Sequence, residues 1–144
     1  MNIFIVGSPV ETARALDLRR LHKQIIECQQ ILDALNGKCA WSNHPCTLQY
    51  KDYQDWLRNY MDCLALVRSG NIAEANFIDF LYQQHTPPFH TQEYFDQMKR
   101  RLYTKNPEHY AQWADLGTSE VNWYFVDGEW RYYKNGKRVN EKQD

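Results

Sequence analysis

The sequence predicts a mainly α protein: a compact single-domain helical bundle with a small C-terminal β-hairpin. Three observations lead there. Apolar residues recur at alternating spacings of three and four in "ALDLRRLHKQIIECQQILDAL" and again from Tyr53 to Val67. The apolar segments are punctuated by capping residues and by Gly and Pro. Past "TSE" the period changes to aromatic-rich, strand-like runs around Asp-Gly and Asn-Gly turns. A length of 144 residues suits one core, so 1–144 reads as one domain, with 139–144 as a frayed tail.

"NIFIV" is too short to decide between an initial strand and an extended arm. Ser8, Pro9 and Glu11 then form a helix start, with Ser8 as cap and Glu11 completing a capping box. One helix is expected over about 9–36, stopped by Asn36-Gly37. Within it Leu18, Leu21, Ile25, Cys28, Leu32 and Leu35 make an apolar stripe. A second helix is expected over about 46–69, where Tyr53, Leu57, Tyr60, Leu64 and Val67 repeat the spacing. Asn71 and Glu74 suggest a cap for a shorter helix over "IAEANFIDFLYQQ", and the two prolines of "HTPPFH" must interrupt helix. Thr91 caps a helix to about Tyr103, and Asn106-Pro107 opens a short one to about Ala114. Asp127-Gly128 signals a type I′ hairpin, with a second turn at Asn135-Gly136.

Composition excludes several classes. The longest apolar runs are far too short to span a bilayer, and "MNIFIVGSPVE" lacks the basic leader and apolar core of a signal peptide. A cytoplasmic protein without membrane contact is expected, read as a monomer. No P-loop, dinucleotide-binding glycine motif, nucleophile elbow or zinc-protease helix is present. Cys28 on an apolar stripe reads as a buried free thiol. A zinc site from Cys39, His44 and Cys46 matches no standard ligand spacing, so no metal is expected.

The net charge of -1 exerts no overall pull on nucleic acid, but the cations are clustered. Arg19, Arg20 and Lys23 lie near the start, and Lys99, Arg100, Arg101 and Lys105 lie later. Arg131, Lys134, Lys137 and Arg138 close the chain, which also holds ten Tyr, six Phe and five Trp; basic clusters with interleaved aromatics suit phosphate contact and base stacking, while solvated helix faces over an aromatic core explain either feature alone. Acid, amide and cation meet on one face of the first helix, where Asp17, Arg20, Gln24 and Glu27 fall in line with Lys23 beside them. Helix charge pairs at these spacings are routine and worth only ~0.2–0.5 kcal/mol each, so spacing alone reads this face as solvated surface. His44, in a loop just before a helix, stands where backbone donors favour phosphate.

"ALDLRRLHKQIIECQQIL" followed by "WSNHPCTLQYKDYQDWL" resembles the pyrimidine-dimer DNA glycosylase (phage endonuclease V-like) family. "MKRRLYTKNPEHY" is similar to that family's later basic segment, with Leu102, Lys105, Pro107 and Tyr110 at matching places, and "WYFVDGEWRYYKNG" to its aromatic C-terminal stretch. The resemblance implies a helical DNA-repair enzyme of phage or bacterial kind that needs no cofactor. Its partner is damaged or abasic duplex DNA. In this family the chain's α-amino group attacks the sugar, forms a Schiff base and breaks the strand by β-elimination. An α-amine suits that role, because its pKa of ~7.7–8.0 leaves more neutral amine at pH 7 than a lysine at ~10.4.

Residue by residue, the match puts Arg19 and Lys23 on the helix's basic positions, His44 on the histidine before the second helix, and Lys99 and Lys105 on basic positions of the later segment. Arg20, Gln24 and Arg100 join these phosphate-binding candidates from the facing geometry and the clusters. Two departures stand out. Met before Asn is usually retained, so the amine falls to Met1; and Arg20 occupies the place of the family's acid, leaving Glu27 or Asp17 to act from the same helical face. In this light the charged face reads as the wall of a phosphate site. The alternative is a non-catalytic nucleic-acid or nucleotide-binding protein on the same fold.

Overall fold

The computed structural model describes residues 1–37 and 41–140. The chain divides into two compact units, Met1–Pro88 and Phe89–Asp144. Helix predominates, and a small antiparallel sheet lies near the C-terminal end, as expected from the periodicities. Among the described residues no helix is long and apolar enough to cross a membrane.

In the first unit residues 1–7 run extended, with Ile3, Phe4 and Ile5 wholly buried. The α1 helix (Pro9–Ala15) begins with the expected capping box: Ser8 Oγ accepts from the Glu11 amide at 3.1 Å, and Glu11 Oε1 accepts from the Ser8 amide at 3.4 Å. The single helix expected over 9–36 is in fact two. Leu16 and Asp17 are both extended, and Asp17 caps the α2 helix (Leu18–Leu35) by accepting from the Arg20 amide at 3.3 Å. An aspartate that satisfies a first-turn donor favours a new start over helix continuation. The break turns Leu18 outward, 78% exposed, so the stripe loses its first member. Gly37, at φ 75°, ends α2 as expected.

The helix expected over 46–69 also divides, into α3 (Pro45–Gln49) and α4 (Gln54–Arg68). Between them Tyr50 is buried and stacks on Trp56 (5.8 Å, 10°), which stacks on Tyr60 (5.2 Å, 19°). The α4 helix packs against α1, α2 and the α5 helix (Ile72–Tyr82). Asn71 occupies the α5 cap position without a side-chain cap bond; its Nδ2 donates to Ser69 Oγ at 3.0 Å. The buried Asp79 accepts from the Val10 amide at 3.2 Å, fastening α5 to the start of α1.

In the second unit Thr91 caps α6 (Gln92–Lys105), accepting from the Tyr94 amide at 3.3 Å. The short helix expected up to Ala114 is a turn followed by a 3-10 helix at Ala111–Leu116. Strands β1 (Val121–Val126) and β2 (Glu129–Lys134) pair through a turn in which Asp127 (φ 53°) and Gly128 (φ 79°) are both left-handed, as a type I′ turn requires. The second turn, with Asn135 at φ 52° and Gly136 at φ 77°, adds β3 (Lys137–Val139), so the expected hairpin is a three-stranded sheet. Val139, expected in the frayed tail, pairs with Tyr132. Buried Arg101 joins α6 to this sheet, donating to Asn122 Oδ1 at 2.9 Å and to the Ser119 carbonyl at 3.0 Å.

Candidate active site at the N-terminus

The face of α2 that spacing alone assigns to solvent is partly buried. Gln24 is fully buried and Glu27 is 6% exposed, because the extended N-terminal arm lies over them. Gln24 pairs with the arm as a neighbouring strand would: its Oε1 accepts from the Phe4 amide at 2.7 Å and its Nε2 donates to the Asn2 carbonyl at 2.8 Å. An arm without a partner strand needs side chains to satisfy its backbone groups. Tyr60, on α4, donates its hydroxyl to the Phe4 carbonyl, and Thr12 Oγ1 accepts from the Val6 amide at 3.0 Å.

Glu27 Oε2 accepts from the Asn2 amide at 3.2 Å. The next nitrogen toward the chain start is the α-amine of Met1. The charge of that amine is felt at two further side chains, His44 and Cys46. His44 precedes α3, and its Nδ1 accepts from the Cys46 amide at 3.1 Å. That bond uses the Nδ1 lone pair, so the proton of the neutral ring sits on Nε2. Burial first, then the positive amine, holds the His44 pKa below its ordinary value. The ring of Trp41 meets His44 edge-on at 5.8 Å. Cys46 is fully buried; burial pushes its thiol up to about 12, against the smaller opposing effects of the amine and a hydrogen bond from the Ile3 backbone.

The other candidate residues take varied places. Asp17 is the α2 cap described above, its carboxylate on the Arg20 amide. Arg20 lies with its guanidinium 5.5 Å from the centre of the Phe4 ring, against the arm. Arg19 and Lys23 are exposed on α2. In the second unit Lys99 is 3.8 Å from Asp96 and lies over Trp113 at 5.8 Å. Arg100 donates to the Leu116 carbonyl at 2.9 Å and to Gln97 at 3.3 Å, bonds that serve that unit's own fold. Lys105 is exposed at the end of α6. Of the zinc reading, Cys39 lies outside the described residues. Sequence reasoning missed Cys46 and Tyr60 as neighbours of the arm. The only signal was an apolar run at the chain start with no turn leading to a partner strand.

These features define a helical protein that holds its N-terminus beside a buried carboxylate and a neutral histidine. Residues 1–67 match the family model of pyrimidine dimer DNA glycosylases, in agreement with the resemblance read from the sequence. The matched stretch covers the arm, α1, α2, α3 and nearly all of α4; the later basic and aromatic segments lie beyond it. No curated protein and no solved structure matches the chain.

Proposed function

We propose that this chain is a DNA glycosylase with abasic-site lyase activity, with the Met1 α-amine as nucleophile and Glu27 as the acid–base group. The observation that carries the reading is the Glu27–Asn2 hydrogen bond, which keeps a carboxylate one residue from the terminal amine. In this reading the neutral amine attacks C1′ of the damaged nucleotide's sugar and the base departs as the C1′–N bond breaks. Ring opening leaves an iminium between Met1 and C1′. Glu27 takes a proton from C2′, and the 3′ C–O bond breaks with phosphate as leaving group. His44, with its ring proton on Nε2, donates to a phosphate oxygen, and Arg19 and Lys23 attract the strand from the exposed side of α2.

Borohydride reduces such an iminium to a stable amine. It is expected to trap a covalent complex on abasic and on ultraviolet-irradiated duplex, with the added mass on the peptide that starts at Met1. Glu27→Gln should slow strand cleavage by about 10²-fold or more, and an N-terminal extension should abolish the adduct. A second reading, non-catalytic binding of nucleic acid or nucleotide, draws on Arg20, which stands at the place of the family's acid and packs over Phe4. Absence of any adduct, where a control lyase is trapped and the protein still binds DNA, would establish that second reading instead.

A further inference from the structure

Across the β1–β2 pair Trp123 faces Tyr132 and Phe125 faces Trp130, so these four side chains share one face of the sheet. Trp123, Trp130 and Tyr132, with Thr91 and Glu93 from the start of α6, line a cavity of about 260 Å³. Trp123 is its most buried ring, 5% exposed. The rings of Trp130 and Tyr132 are each centred 5.9 Å from it and stand at 69° and 79° to its plane. Trp130 is held from behind by Phe125 at 5.2 Å and Tyr94 at 5.5 Å. Among the described residues that line the cavity, Glu93 alone carries a charge. Arg131, between the two β2 aromatics in sequence, falls on the opposite face and pairs with Asp127 at 3.7 Å and Glu129 at 3.2 Å.

We propose that this cavity binds a methylated ammonium group. Aromatic rings present a negative face to a cation, and a carboxylate beside them supplies the matching charge. Trp130 and Tyr132 pack edge to face on Trp123, which fixes them as one aromatic wall of the cavity beside Glu93. The volume lies just under the ~300–1,000 Å³ of ordinary small-molecule pockets, which suits a head group rather than a whole nucleotide. Glu93 would also repel a nucleotide's phosphate. The proposal uses no residue of the N-terminal site, and its outcome is independent of the glycosylase reading.

The test is a proton NMR titration of the whole chain with choline, with Nε-trimethyl-lysine, and with 3,3-dimethyl-1-butanol, the uncharged isostere of choline. The expected result is saturable upfield shifts of the N-methyl protons, with cross-relaxation to the Trp123 and Trp130 indoles, and binding of the isostere about tenfold weaker or less. The tighter of the two cations identifies the source as a small molecule or a modified side chain. Glu93→Gln, a substitution at an exposed position, should weaken choline binding several-fold; Trp130→Ala should remove it. Equal binding of choline and the isostere, no saturable shift, or tighter binding of thymidine or adenosine to the same indoles would overturn the proposal.

Discussion

At the scale of single residues, Gln24 decides how the N-terminus is held. It lies on the helix face that reads as polar by spacing, yet it is fully buried and bonds two backbone groups of the arm. Leucine at this position keeps most of the volume and removes both partners, leaving a buried amide and a buried carbonyl unsatisfied. Each such group costs about 1–3 kcal/mol, so Gln24→Leu should lower the unfolding free energy by about 2–6 kcal/mol in urea titration. The same variant should loosen the arm and reduce borohydride trapping even at temperatures where the fold persists. Polar residues on a helix face are ordinarily solvated, and only a chain segment lying across them reverses that expectation. Asp17 shows the converse: a candidate acid by its position, it satisfies the first turn of α2.

At the scale of elements, local signals succeeded where one or two residues control the backbone. The capping box of α1, the Thr91 cap of α6 and the Asp127-Gly128 turn all formed as their residue types imply. The Gly128 position tests this directly. It lies at φ 79° with open space around its Cα, so a methyl group there meets no neighbour and the cost is backbone strain alone. Gly128→Ala should lower stability by about 1–2 kcal/mol, seen as a reduced midpoint in denaturant with an unchanged slope. Long periodic runs were less faithful. The two long runs that read as continuous helix were each divided, by Asp17 in one and at Tyr50–Tyr53 in the other. Apolar periodicity survives a short break, because the residues on either side still have a core to face.

At the scale of the whole molecule, a net charge of -1 leaves any attraction for DNA to local cations. In the proposed function Arg19 and Lys23, exposed on α2, are such cations. Arg19→Ala and Lys23→Ala should each reduce the slope of log affinity against log salt by about 1, measured by fluorescence anisotropy on duplex DNA. Arg100→Ala should act differently, lowering the stability of the second unit, because its guanidinium bonds to Leu116 and Gln97 there.

By itself the sequence determined the class of fold, the caps of α1 and α6, the two turns of the sheet, the buried Cys28, and the family signature that residues 1–67 carry. Each depends on neighbours along the chain or on residue order, which a sequence records directly. Tertiary structure decided which side of α2 was covered, that Glu27 rather than Asp17 meets the Asn2 amide, and that Trp123, Trp130 and Tyr132 border one cavity. Those outcomes rest on contacts between segments far apart in the chain. Periodicity fixes the angle of a side chain about its own helix or strand, but not which other segment comes to lie against it.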